Sequence, residues 1–226
     1  MKRFLTVFAF IVGAFLVSGP AKADCLKLTA ETTYERYPQI SEKLIQLMRI
    51  EGLCATVDYL PGKRTTNMIL NGSADGEVAR ISFYKDQIGP AALMVETPMF
   101  TSEGMIISRE ENRDVIVNLK GKVGIIRGWV WMEKVIEGLN PDQVIRVDNL
   151  DNLNALYQKG RVASILAPIG MIEGYGLHNE PTVKSVIQLN YHLWLSKRHK
   201  ALVPRVNRMI EKFIAEGGYF IRAIQG

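Results

Sequence analysis

The sequence predicts an α/β fold of two lobes, each a mostly parallel sheet flanked by helices, and three observations predict it. Residues 26–60 read as strand, helix, strand, which is one βαβ unit. Residues 123–147 read the same way. Both units continue into a further helix, a glycine and another strand, at low mutual similarity, so the order of elements is used twice. Two similar halves imply two lobes.

Ahead of the first unit the chain opens Met1-Lys2-Arg3, runs apolar through residues 4–17 and reaches Ala21-Lys22-Ala23. A charged start, a short apolar stretch and small residues at the cut mark a secretory signal over residues 1–23, with cleavage expected after Ala23 and residence in the periplasm. The apolar run is too short to span a bilayer comfortably. A lipid anchor on Cys25 fits less well, because Lys22 and Asp24 stand where an apolar and a small residue are wanted. Losing Lys2, Arg3 and Lys22 lowers the formal charge from +5 to +2. No cluster of Lys and Arg with interleaved aromatics remains, which argues against nucleic acid as a partner. Cys25 and Cys54 both survive cleavage into an oxidising compartment, each at the start of a predicted strand, and the helix between them makes those strands parallel neighbours. A disulfide between them is expected. Two cysteines without a nearby His do not make a metal site, and no cofactor is expected.

Taken in order, 26–30 alternates as a strand and 31–38 is a Tyr-rich polar loop at its carboxyl end, where ligands of open α/β sheets bind. Tyr34, Arg36 and Tyr37 are therefore candidates for a cleft wall. Residues 40–50 place Ile40, Leu44, Leu47 and Met48 on one helical face, with Ser41 as a candidate cap and Gly52 as the stop. A strand at 55–60 is closed by Pro61-Gly62, a helix over 64–70 ends in Asn71-Gly72, and a short strand starts after Asp75-Gly76. Arg80, just past that strand, is placed to grip a carboxylate through two parallel hydrogen bonds. Strand-like runs at 91–95 and 104–108 are separated by Pro98, and a polar segment fills 109–118. The second unit follows, with a strand at 123–126, a helix over 129–138, a strand at 144–147, a helix over 151–159 and a strand at 162–166. Its first turn carries Arg127-Gly128-Trp129 and then Trp131, so a fixed charge, the amides of a helix start and two aromatic faces meet at one point. Beyond Pro181 come extended runs at 183–189 and 191–195, then an amphipathic helix over 202–213 stopped at 216–218, and a last short helical or irregular piece at 219–224.

The order of these motifs resembles the type 2 periplasmic substrate-binding proteins of ABC transporters, the amino-acid-binding-like extracellular solute-binding protein family 3. The resemblance rests on Tyr37-Pro38, on Arg64 before Leu70-Asn-Gly72, on Asp75-Gly76 with Arg80, and on the leader from Asn118 to Gly128. Leu156-Tyr-Gln-Lys-Gly-Arg161, Leu195-Ser-Lys-Arg-His199, Leu202-Val-Pro-Arg-Val-Asn207 and Glu216-Gly-Gly-Tyr219 extend it over nearly all the mature chain. It implies lobe 1 over 24–107 and 190–226, lobe 2 over 108–189, and hinge crossings near Ile107 and Leu189. It further implies a small-molecule ligand and, as partner, an ABC permease or a membrane-bound sensor, with the chain a monomer. Two departures bear on the ligand. Trp129 stands where the family usually has a small hydroxyl residue, and Ala163, Ser164 and Ala167 stand where it usually supplies an acid for the ligand's ammonium.

The expected function is a periplasmic solute-binding protein that closes over a small anionic or polar ligand. Arg80 from one lobe and Arg127, Gly128 and Trp129 from the other would clamp it, with Tyr34, Tyr37 and Trp131 packed around it. The alternative is a protein of the same fold that signals to a membrane receptor. An enzyme is not expected, because His178, His192 and His199 stand in no Ser/His/Asp or Cys/His constellation.

Overall fold

The computed structural model describes residues 25–111, 119 and 121–221. The expected signal segment and its cleavage point after Ala23, Asn118 and Lys120 of the leader, and the chain from 222 onward lie outside the described residues. In chain order the elements are β1 (Leu26–Glu31), α1 (Gln39–Ile50), β2 (Ala55–Leu60), α2 (Gly62–Leu70), β3 (Gly76–Ile81), α3 (Lys85–Ile88), β4 (Ala92–Met94), β5 (Phe100–Ser108) and β6 (Val123–Ile126). They continue with α4 (Val130–Val135), β7 (Val144–Val147), α5 (Leu150–Gln158), β8 (Ser164–Pro168), α6 (Ile169–Tyr175), β9 (Thr182–Ser196) and α7 (Val203–Ala215).

The strands join in the order β2-β1-β3-β9-β5-β8-β6-β7, with β4 added to β9. At each end the pairing is parallel, β1 with β2 and β3, and β6 with β7 and β8, as two βαβ units require. The middle is antiparallel: β9 pairs with β3, β4 and β5, and β5 pairs with β8. Local periodicity shows the βαβ ends but not this middle, because β5 and β9 are long strands that belong to both halves. The two runs expected at 183–189 and 191–195 are one continuous strand, and the run expected at 104–108 begins already at Phe100. Conversely, the helix expected over 129–138 is only the six-residue α4, and Ser41 is not a cap: its hydroxyl accepts from Tyr59 at 2.9 Å inside the lobe.

Two cores flank the crossing. One gathers Leu28, Ile40, Leu44 and Met48 with Val206 and Ile210 of α7. The other gathers Ile106, Ile125, Trp131, Leu153, Tyr157 and Ile165. Along β5 and its approach the affiliation changes between Met99 and Met105, and along β9 between Leu189 and Leu193. Each fully buried aliphatic side chain contributes about 1.5–3 kcal/mol, so both ends of the sheet carry their own stabilisation. At the changeover the β5–β9 register shifts between Gly104 and Met105. A Cβ on Gly104 would lie 2.6 Å from the Trp131 ring and 2.7 Å from Ile187, so glycine alone fits beneath that indole.

The disulfide expected from strand order is present between Cys25 and Cys54, one residue before the paired Leu26 and Ala55. It closes a 29-residue separation, so reducing it, or replacing both cysteines by Ser, should cost about 3–4 kcal/mol in urea-unfolding experiments. A loss under about 1 kcal/mol would show that the bond constrains little of the unfolded chain.

His192 on β9 is buried, with Nδ1 2.9 Å from the Val95 carbonyl, and burial holds its imidazole below the ordinary 6.5 despite that hydrogen bond. The unfolded chain therefore takes up a proton more readily than the folded one. The contribution of neutral His192 is complete above 6.5 and is lost as pH falls toward the depressed folded value. Between about pH 7 and about pH 5 the protein should lose more stability than its His192→Gln variant, and equal losses in parallel urea titrations would exclude this role.

Candidate functional site

A cleft of about 640 Å³ opens between the two cores, walled by rings. On one side β1 ends at Glu31 and the chain turns through the short 3-10 helix Thr32–Arg36 to Tyr37. Tyr34 is fixed in this turn by a 2.9 Å hydrogen bond from its hydroxyl to the Ala79 carbonyl. Its ring meets Tyr191 edge-on at 6.4 Å, and Tyr191 stacks on Phe100 at 4.6 Å. These two belong to β9 and β5, so the long crossing strands supply the floor of the cleft. Trp129, Leu150, Ile169, Gly170 and Tyr175 form the opposite wall. There the Tyr175 hydroxyl donates to Asp151, and that pairing, with burial behind it, raises the phenol above its ordinary range. Burial likewise pushes Tyr34 and Tyr191 up, so all three phenols are neutral donors at physiological pH.

A smaller recess of about 70 Å³ adjoins the cleft and shares Glu31, Tyr34, Trp129 and Tyr191 with it. Arg80, Tyr84, Gly128 and Trp131 line only this recess. Arg80 is the best-connected side chain in it. In a regular strand residues three apart point to opposite faces, but a bulge between Glu77 and Arg80, with Ala79 at φ +60°, brings both to one side. Arg80 Nε then donates to Glu77 Oε1 at 2.7 Å, Nη1 to Glu31, and Nη2 to the Gly62 carbonyl at 3.2 Å and to Thr66 at 3.3 Å. Its guanidinium lies over the Tyr84 ring at 4.6 Å. Glu77 has no exposed surface and also accepts from Thr65 and Tyr84, both at 2.5 Å. Burial pushes the Glu77 carboxyl up, against the pull of Arg80 and of those hydroxyls. Burial alone would pull Arg80 down, yet the charges of Glu31 and Glu77 hold it above its ordinary value.

The expected site residues thus fall into three places. Tyr34, Tyr37 and Trp129 line the large cleft; Arg80, Gly128 and Trp131 line the small recess, Trp131 as a buried part of the core over Gly104; and Arg127 lines neither. Arg127 points to solvent, with a 3.4 Å contact to an equally exposed Asp148. Its backbone N–H donates to Val147, and that of Trp129 to Ile126. The anion clamp expected from Arg80 and Arg127 with the amides at Gly128 and Trp129 is not assembled: Arg80 is neutralised by two acids, and the Trp129 amide closes the turn.

Sequence reading missed Phe100, Glu103, Tyr175, Gln188 and Tyr191 as cleft residues. Residues 100–103 alternate partly buried and exposed before β5 turns fully buried at Gly104, a pattern that Phe100-Thr-Ser-Glu103 does not announce by alternating apolar and polar residues. That change marks a strand leaving an open floor for a core.

No family model matches the chain, and no curated protein sequence matches it. Solved structures do. An ancestral arginine-binding protein bound to arginine is similar at 18% identity and a TM-score of 0.64, over 86% of this chain and 94% of that one. A histidine kinase sensor domain with similarity to periplasmic binding proteins is similar at 12% and 0.64, over 85% and 91%. The substrate-binding protein of an amino acid ABC transporter is similar at 11% and 0.59, over 87% and 96%. The chain has the type 2 periplasmic-binding-protein fold.

Since Arg80 is the counter-charge of a buried Glu77, Arg80→Ala should destabilise the protein by about 3–5 kcal/mol. Arg127→Ala should change stability by under about 0.5 kcal/mol. Urea unfolding of both variants checks the contrast, and a small loss for Arg80→Ala would mean that its ion pairs are dispensable.

Proposed function

We propose that this chain is an exported, non-catalytic binding protein whose two lobes, meeting where β5 and β9 pass from one core to the other, close over a small polar ligand in the 640 Å³ cleft. The observation that carries this reading is the placement of rings on both sides of one cavity: Tyr34 and Tyr37 on one lobe, Trp129 and Tyr175 on the other, with Phe100 and Tyr191 on the strands between them. A hinge through β5 and β9 would bring these faces together, and a ligand that bridges them would favour the closed state by its extra contacts there. Tyr34 and Trp129 serve as ligand-contacting residues in this proposal, with Tyr37 beside them, while Arg80 and Trp131 shape the wall behind. An anionic ligand would have to displace Glu31 from Arg80, so a polar ligand gripped by its flat or apolar body suits the geometry better.

Delivery to an ABC permease is the proposed use, in line with the transporter protein among the similar structures. Signalling to a membrane-bound sensor is the second reading, favoured by the sensor domain of similar fold. Pull-down of a permease or of a sensor kinase by the ligand-loaded protein separates the two.

Ligand binding should reduce the radius of gyration in small-angle X-ray scattering and raise the melting temperature across a panel of metabolites. Trp129→Ala should weaken binding of any hit by about tenfold, whereas Arg127→Ala should leave it within about twofold. No compaction and no thermal shift with any compound of a broad panel would count against a binding role.

A further inference from the structure

The charged side chains around the cleft bear on which ligands it admits. Its wall holds three ionisable side chains that carry charge at neutral pH, Glu31, Arg36 and Glu103. Glu31 binds Arg80, but Arg80 also serves Glu77, so that cluster sets one guanidinium against two carboxylates. Arg36 shares its stretch of wall with Tyr175, whose hydroxyl donates to Asp151, and it forms no ion pair among the described residues. Glu103 is exposed on β5, in register with Gln188, and pairs with no cation among the described residues. Glu31, Glu77 and Glu103 thus stand against Arg36 and Arg80, an excess of one carboxylate at the cleft although the chain as a whole is basic.

Aromatic faces add to the same sign. The face of a Tyr, Phe or Trp ring carries the negative part of its quadrupole and attracts a cation placed over it. Phe100 and Tyr191 lie stacked within the cleft, Tyr37 borders it, and Trp129 faces them from the other wall. Arg36 apart, a carboxylate entering there would meet Glu31, Glu103 and the negative faces of those rings. A cation would meet attraction from each.

We propose that the cleft selects an organic cation with a flat or apolar body, in preference to an anion of the same size, with Glu103 and Glu31 as its counter-charges. This rests on the binding role proposed above and names the ligand class for that same cleft. Glu31 thereby has two functions: it closes the Arg80 cluster and presents its charge to the cavity. Gly62 makes this possible, since a Cβ there would collide with the Glu31 carboxylate.

Three probes of one size test the charge preference: phenethylammonium, 2-phenylethanol and phenylacetate, titrated calorimetrically into the purified protein. The cation should bind at least about tenfold more tightly than the carboxylate, with the alcohol between, and its affinity should fall as salt is raised. Glu103→Gln should weaken the cation about threefold and leave the alcohol unchanged, and Glu31→Gln should act in the same direction. Equal or tighter binding of phenylacetate overturns the charge preference and leaves the binding role standing. Failure of all three probes also overturns it, whereas the binding role is decided separately by compaction and thermal shift with the broad panel.

Discussion

The buried carboxylate of Glu77 is the constraint on which the rest of this lobe and its cleft depend. A charge without exposed surface must be matched by donors held in place, and here these are Arg80, Thr65 and Tyr84. Meeting that demand needs the bulge in β3 that turns Arg80 to the same side as Glu77, and Tyr34 holds the bulge through the Ala79 carbonyl. It also recruits the carbonyl of Gly62 at the start of α2 and Glu31 at the end of β1. One ion cluster therefore ties β1, α2 and β3 to the turn that carries the first aromatic wall. Arg80 is taken by the protein itself, and the cleft is left to rings and to Glu31, Arg36 and Glu103.

This arrangement separates what holds the lobe from what could recognise a ligand. Arg80 binds five partners within the protein, and its neutralisation makes the recess behind the cleft part of the framework. The cleft proper is built from residues on the crossing strands, on the turn after β1, on the turn after β6 and on α6, which are elements that a hinge motion would displace relative to each other. Phe100 and Tyr191 are paired in register close to Gly104, so the ring contacts of the floor adjoin the place where Trp131 packs against β5 and β9.

The two βαβ ends were legible in the sequence because their signals are local: apolar faces at helical spacing in 40–48, short apolar strands, and Gly or Pro at the stops. The Cys25–Cys54 bond followed from strand order together with the expected export into an oxidising compartment. The antiparallel middle was not legible, because pairing of β5 with β9 joins residues some eighty positions apart and no local period reports it. The same reason hid the cleft floor. The Arg80 prediction shows a different limit. The sequence reading put it just past a short strand, whereas it lies within β3, and its partners Glu31, Gly62, Thr65 and Thr66 come from two other elements. The sole sequence neighbour among them, Glu77, belongs on the opposite face unless the strand is bulged. Residue type named a carboxylate-binding group, and only the assembled fold showed that the carboxylates are internal.

The central claim, that Arg80 and Glu77 form one structural unit, is tested most directly by a double-mutant cycle on stability with Glu77→Gln, Arg80→Gln and the pair of changes together. The account predicts strong coupling, with the double variant more stable than the sum of the single losses by about 1.5–3 kcal/mol, because each single change strands a buried partner. Single losses that add to within about 0.5 kcal/mol would contradict it and return Arg80 to the pool of groups free to bind a ligand.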